Sequence, residues 1–382
     1  MRIKFTNIII QPGYINAEYE YDTIKHFVEF KLSDPILVRH DIIAFALACL
    51  CGTKFESIFM DLKIKKETKN IIEKYTNSQV KCHINHEEYL ISKSFGNHTL
   101  NFGGGFDSIA ALALMPENTS LVSLDFGKHF SSKVKIMNQF DSHIVKTNLL
   151  DTDFRKNSWL FMTISSILYK DYLNSDFNIM GTVLSSQALS DSRVIRNAGT
   201  PGIIKGVGMN TIPYTLGLTE FGTLRLAAEN FPEYIDDSLK LLAFKGTEKR
   251  YRKQLYLEIE NERFNTEIII SDPVEPLKTP PYSWGTSYQI DHHILYILKF
   301  KGYEVAQNIV SDIPKNAMDL VSGLSLDFYI KYHPDNIKNI PINHSKRIFK
   351  VLKNANITPY TDEDLKEYEL IKNYLSSWYK VV

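Results

Sequence analysis

The chain has 382 residues, 44% apolar and 23% charged, and its 44 basic residues balance 44 acidic ones. That is the composition of a globular protein with one large or two medium domains, and the cancelled charge disfavours a large nucleic-acid partner. Three cysteines (Cys49, Cys51, Cys82) make no disulfide framework, the start is too polar for a signal peptide, and no run reaches the roughly 18 apolar residues of a membrane span; a cytoplasmic protein is expected.

Residues 1–95 read as a small α+β module. Strands are expected at Arg2–Ile10, Ile15–Tyr21 and His26–Leu32, then an apolar helix over Val38–Cys51, a strand over Glu56–Ile64, an amphipathic helix over Lys66–Tyr75, and a strand or strand pair over Val80–Ile91. From residue 96 strands and helices alternate. His98–Phe102 and Ser120–Phe126 are apolar runs suited to buried parallel strands. Ser131–Phe140 reads as a helix, His143–Lys146 as a short strand, Trp159–Leu173 as a helix and Phe177–Gly181 as another buried strand. This order predicts an α/β fold, an open parallel sheet with helices on both faces and ligands at the carboxyl ends of its strands.

Arg196–Gly222 is dense in glycine and reads as a substrate loop or as a plain connector. Residues 223–265 look helical, Ile268–Ser271 resembles an edge strand, Asp272–Trp284 is a proline-rich linker, and the remainder is mainly helical. The expected segments are therefore an N-terminal module over 1–95, a nucleotide-binding domain over 96–270 carrying the loop 196–222, and a helical region over 271–382.

The richest stretch is Asn101-Phe-Gly-Gly-Gly-Phe-Asp-Ser108. A strand, three glycines, an acid, a hydroxyl and a small-residue helix start place bare N–H groups and the positive end of a helix dipole together, which suits a phosphate. A side chain at Gly104 or Gly105 would block close approach of an anion. Ser108 offers a hydroxyl donor. Asp107 repels an anion, so it makes sense as a magnesium ligand or as an anchor for the loop N–H groups. A glycine-rich turn with an Asp/Ser cap is the bland alternative.

The stretch resembles the Ser-Gly-Gly-x-Asp-Ser signature of the PP-loop ATP pyrophosphatases, with Gly103 in place of the serine and Gly104, Gly105, Asp107 and Ser108 matching. Asp125-Phe-Gly-Lys-His129, Arg155-Lys-Asn157 before Trp159, and Ile179–Ala188 are similar to segments of its 7-cyano-7-deazaguanine synthase branch, so the likeness spans roughly 97–195. The resemblance implies a sheet of the PP-loop/HUP type, ATP and Mg2+ as cofactors, and an adenylating, AMP- and pyrophosphate-forming reaction. It implies that Gly103 to Ser108, Phe106 included, bind the β- and γ-phosphates, that Asp107 places the metal, that Ser123 and Asp125 lie near the adenosine, and that Gly181 and Thr182 lie near the α-phosphate. The branch's zinc cysteines are missing, since no cysteine follows Cys82, and no zinc is expected.

Arg193 and Arg196 are candidate clamps for pyrophosphate or a substrate carboxylate, with structural ion pairs as the alternative, and Lys205 is a candidate substrate contact. Cys82, His83, His86 and Glu87 lack the usual metal-ligand spacing and read as a surface strand. Asp291-His292-His293 reads as a helix cap, with catalysis as the alternative, and Lys245, Lys249, Arg250, Arg252 and Lys253 read as a solvated helical face, with a grip on phosphates as the alternative. The expected substrate is a small carboxylate or amide activated for ligation. An epimerase of glutamyl cell-wall precursors, a non-catalytic nucleotide sensor and a tRNA-modifying enzyme stay open, as does a homodimer.

Overall fold

The computed structural model describes residues 1–86, 96–127, 133–184 and 189–381. The strands of its main sheet are β1 (Arg2–Gln11), β2 (Tyr14–Tyr21), β3 (Ile24–Leu32), β4 (Ser57–Lys65), β5 (Gln79–Asn85), β6 (Asn97–Asn101), β7 (Ser120–Asp125), β8 (His143–Thr147) and β9 (Ser175–Ile179). All nine join one sheet of order β5-β4-β1-β2-β3-β8-β7-β6-β9. Alternation sets the faces: along β4, Ile58, Met60, Leu62 and Ile64 are buried, while Asp61 and Lys63 face outward.

The expected parallel sheet is present as one half of a mixed one. β8, β7, β6 and β9 run parallel, as do β4 with β1 and β5, whereas β1–β2, β2–β3 and β3–β8 are antiparallel. The N-terminal strands are thus hydrogen-bonded into the same sheet as the later ones, through Phe30–Leu32 against Val145–Thr147. In the parallel half the chain steps from β6 to β7 to β8, then returns to lay β9 on the other side of β6. That reversal is a topological switch point, and the crevice outside the carboxyl ends of such strands is where open α/β sheets bind ligands.

The chain divides into two units that cut across the segments expected from sequence. The first comprises Met1–Gly103, Pro116–Met180 and Gly199–Ile212 and holds the whole sheet. Its helices are α1 (His40–Cys51), α2 (Lys66–Thr76), α4 (Lys133–Gln139), α5 (Ile164–Leu168) and α7 (Gly202–Val207). α1 is apolar all round, and every residue from Asp41 to Cys51 is buried, as such a helix requires. The second unit comprises Gly104–Met115, Gly181–Ala198 and Pro213–Val382. It is helical: α3 (Phe106–Leu114), α6 (Ser192–Arg196), α8 (Glu220–Asn230), α9 (Ile235–Leu242), α10 (Glu248–Phe264), α11 (Tyr288–Lys301), and four more helices between Tyr303 and Leu375. The two-residue strands Tyr282–Ser283 and Val310–Ser311 pair within it. Among the described residues no helix is long and apolar enough to cross a membrane.

Two local expectations are corrected. Trp159–Leu173 is not one helix but a 3-10 turn over Trp159–Thr163 followed by α5. The hydroxyls of Thr163 and Ser166 bond back to the carbonyls of Leu160 and Thr163, a competition that disfavours a regular helix. Ile268–Ser271 is not a strand. The Asn261 amide takes both the N–H and the carbonyl of Ile268, and the Asp236 carboxylate accepts from Ser271, so side chains satisfy that backbone in place of a ladder.

Candidate functional site

The glycine bend follows β6. Gly104 adopts φ +69°, a left-handed conformation that favours glycine. Gly105 is the N-cap of α3, and no side chain caps that helix. The first-turn N–H groups of Phe106 and Asp107 have no acceptor within the helix, and the positive end of its dipole lies with them. The bend is anchored by Ser238 of α9, whose hydroxyl donates to the Gly104 carbonyl at 2.8 Å. The Ser108 hydroxyl donates to the Gly105 carbonyl at 2.9 Å, so the donor expected to face an anion bonds within the bend instead.

Gly181 belongs to the same place. A Cβ there would lie 2.7 Å from the Asp107 carbonyl carbon and oxygen and 2.9 Å from the Ser108 nitrogen. Backbone thus presses on backbone where the chain leaves β9, and only glycine permits it. Thr182 beside it is exposed, and its carbonyl accepts from the Thr215 hydroxyl at 2.8 Å.

Around Asp107 lies a set of charges. The Thr223 hydroxyl donates to Asp107 Oδ1 at 2.6 Å. Burial raises the Asp107 carboxyl above its ordinary pKa; Lys253 opposes the shift and the negative charge of Glu220 adds to it. Glu220 is the first residue of α8. Its Oε2 lies 2.8 Å from the Lys253 ammonium and 3.2 Å from the Arg252 guanidinium, and its Oε1 accepts from Gln289 at 2.9 Å. Burial alone would raise Glu220, but the Lys253 ammonium and the Arg252 guanidinium hold it well below the usual carboxylate range. Arg252 also pairs with Glu248 and donates to the Tyr256 hydroxyl, which in turn meets His293 Nδ1 at 2.8 Å. Lys249, one turn before Lys253, is exposed and has no hydrogen-bond or ion-pair partner among the described residues. Desolvation of its head group, then the like charge of Lys253, lowers its pKa.

The predicted residues divide accordingly. Gly104, Gly105, Phe106, Asp107, Ser108, Gly181 and Thr182 fall in the second unit. Gly103, Ser123, Asp125 and Lys205 fall in the first. Ser123 Oγ donates to the Phe102 carbonyl at 2.7 Å, Asp125 Oδ1 accepts from the Gly127 N–H at 2.8 Å, and Lys205 is exposed on α7. Arg193 forks onto Asp191 at 2.7 and 2.8 Å, and Arg196 donates to Asp335 at 2.8 Å, so both guanidinium groups already hold carboxylates. His129, Glu87 and residues 185–188 lie outside the described residues.

Two readings are overturned. The run through Lys253 is a solvated face only at Lys245 and Lys249, which are exposed; Arg250, Arg252 and Lys253 are buried. Asp291-His292-His293 does not cap α11 but lies inside it, fully buried. No group of three or more metal-ligating side chains occurs among the described residues, and His83 contacts Asp61 at 3.1 Å. Glu220 and Thr223 escaped the sequence reading, and Lys249 and Lys253 entered it only within a run whose grip on phosphates stood as the alternative to a solvated face. The available signal was the apolar set Tyr251, Leu255, Tyr256 and Ile259 interleaved with the basic run, which marks a helix buried on most sides.

The assembled groups suit a ligand with several anionic oxygens: a helix N-terminus, a backbone bend without side chains, two ammonium groups, and a carboxylate able to share a cation. No family model matches the chain, and no curated protein or solved structure does either.

Proposed function

We propose that this protein is an ATP-dependent, AMP-forming enzyme of the PP-loop type that adenylates a small carboxylate or amide. The observation that carries this reading is the uncapped N-terminus of α3, reached through the Gly104 bend directly after β6 and pressed by Gly181 directly after β9. Those strands flank the switch point of a parallel β8-β7-β6-β9 order, where α/β sheets of the proposed type bind nucleotides.

In this reading the N–H groups of Gly105 to Asp107 receive the phosphates. A substrate oxygen attacks the α-phosphorus, the bond to the β-phosphate oxygen breaks, and pyrophosphate leaves with that electron pair. Catalysis rests on positioning and charge neutralisation. The residues fit magnesium: Asp107 supplies one carboxylate, and Mg2+ is usually held by one or two carboxylates together with substrate phosphates. When bound, the ion would neutralise phosphate charge. Asp107 would then remain ionised, against the burial that now raises its pKa. Arg193 has its fork on Asp191 and would meet substrate best by exchanging that carboxylate, whereas Arg196 holds Asp335 through Nε alone and keeps its terminal N–H groups for a substrate oxygen.

The test is to incubate the protein with ATP, magnesium and a panel of carboxylates and amides, and to assay AMP and pyrophosphate. Stoichiometric production of both with one substrate is expected. ATP binding without turnover on any substrate would favour the nucleotide-sensor reading, which the engaged Ser108 hydroxyl and the Arg193 fork on Asp191 support. A helix N-terminus contributes only about 0.3–1 kcal/mol to an anion. Micromolar binding needs about 8 kcal/mol, so side-chain charges must contribute much of the difference.

A further inference from the structure

Within the phosphate reading above, on which this rests, we infer that Lys253 and Lys249 take the terminal phosphates of the nucleotide and that Glu220 is a positioning residue for Lys253. The two lysines are four residues apart on α10 and so share one side of the helix. The Lys253 ammonium lies 5.6 Å from the centre of the Phe106 ring, and Phe106 sits between the N-cap glycine and Asp107. It is the largest opposing charge on both Asp107 and Glu220. Lys249 brings a second ammonium with no partner among the described residues.

An ammonium has three protons, so Lys253 can keep Glu220 and still donate to a phosphate oxygen. A lysine on a four-carbon stem is otherwise poorly fixed. Glu220 fixes it because Glu220 is itself fixed, by Arg252 and Gln289, and Arg252 by Glu248 and Tyr256. The charged and titratable groups around Lys253 are Asp107 from α3, Glu220 from α8, Lys249, Arg252 and Tyr256 from α10, and His293 from α11. A merely structural network would share these contacts, since buried ion pairs often add little net stability. It would not discriminate among nucleotides.

The experiment titrates the full chain with ATP and with AMP, magnesium present, for wild type, Lys249→Met, Lys253→Met, Glu220→Gln and the Glu220→Gln/Lys253→Met double variant. Lys253→Met and Glu220→Gln should each weaken ATP at least about tenfold and leave AMP within about twofold, with Lys249→Met showing a smaller loss of the same kind. The double variant should bind ATP no more weakly than Lys253→Met alone, because Glu220 acts through that lysine. Full additivity, or equal losses for ATP and AMP in Glu220→Gln, overturns the positioning role. Wild-type ATP affinity in both lysine variants overturns the phosphate contacts and leaves the glycine-bend reading standing. Failure of the wild type to bind ATP removes that reading and this inference together. Should Lys253→Met not fold, Lys253→Arg and the exposed Lys249→Met decide the phosphate contacts, and the ATP-against-AMP comparison in Glu220→Gln decides the positioning role.

Discussion

The interiors of the two units are built differently. The first surrounds its sheet with apolar side chains: α1 contributes Ile42 to Cys51 without a polar member, against Phe5, Ile58, Met60 and Ile64. Such a core is held by the area it removes from water. The second unit buries Glu220, Arg225, Arg250, Arg252, Lys253, Glu260 and Asp291, beside His292 and His293, whose burial disfavours their charged form. Charge in an interior persists only where each group is paired, as Arg225 is with Glu260 at 3.0 Å while its guanidinium stacks 3.5 Å from the Phe264 ring centre. An apolar core tolerates exchange of one aliphatic for another. A charged one is bound to particular atoms in particular places, which is how a binding site is held in register.

The sharpest way to break this comparison is acid. Burial lowers His293 to about 3 and His333 to about 4, and takes His292 well below its ordinary value. A depressed folded-state pKa gives stability that is present above the unfolded value near 6.5 and is lost as pH falls towards the folded value. Each such histidine forfeits about 1.4 kcal/mol per pH unit inside that window. Glu260, raised to about 7 by burial against the pull of Arg225, runs the other way: its contribution is lost as pH rises from about 4.5 through 7, so on acidification it offsets one of the three histidines. Amide-exchange protection factors in the second unit should therefore drop by several kcal/mol-equivalents between about pH 6.5 and 4.5, before those of the first. A parallel loss in both units would show that the buried histidines do not set acid stability.

Next in size are single deletions in each core. Glu220→Ala leaves Arg252 and Lys253 facing an absent carboxylate and should destabilise by about 3–5 kcal/mol. Glu220→Leu combined with Lys253→Met removes the pair together and should recover much of that loss in a denaturant titration. Leu47→Ala in α1 should lose about 2–5 kcal/mol through transfer and cavity effects, and no second substitution of a charged group should restore it. If the double variant is no more stable than Glu220→Ala, the second core is not organised by pairing.

The same division explains what the sequence made legible. Wherever burial follows a period, the elements were readable: β1 to β4, α1 and α2 match their expected spans to within a few residues, β6, β7 and β9 fall on the apolar runs, and β8 falls on the expected short strand. The bend at Gly104 was readable because glycine clusters leave few alternatives. What was not readable depends on partners distant in sequence. Nothing local tells that Phe30–Leu32 pairs with Val145–Thr147, or that Lys253 meets a carboxylate at Glu220. The basic run of α10 has the charge pattern of a solvated face, and only the neighbours on α8 and α11 make it an interior. Arg193 and Arg196 failed in the opposite sense: nothing nearby predicts that Asp335 would occupy Arg196.

The smallest effects belong to the glycines, and they separate a packing role from a binding role. Gly181→Ala drives a methyl into the Asp107 backbone, so a loss of about 1–3 kcal/mol and a shifted start of α3 are expected. Gly104→Ala, at φ +69°, should lose about 1–2 kcal/mol from backbone strain alone. Gly103 differs from both: it is exposed, its φ is not positive, and an added Cβ meets no atom within 4 Å among the described residues. Gly103→Ser should leave the melting temperature unchanged, within about 0.5 kcal/mol-equivalents. Position 103 is also where the resembled signature carries its serine, so this substitution adds a hydroxyl donor beside the bend without structural penalty. If the bend seats a phosphate, the serine variant should bind ATP a few-fold tighter, about one neutral hydrogen bond's worth. Unchanged ATP affinity in a fully stable Gly103→Ser protein would place the phosphate away from residue 103 and confine any anion contact to Gly104 onward.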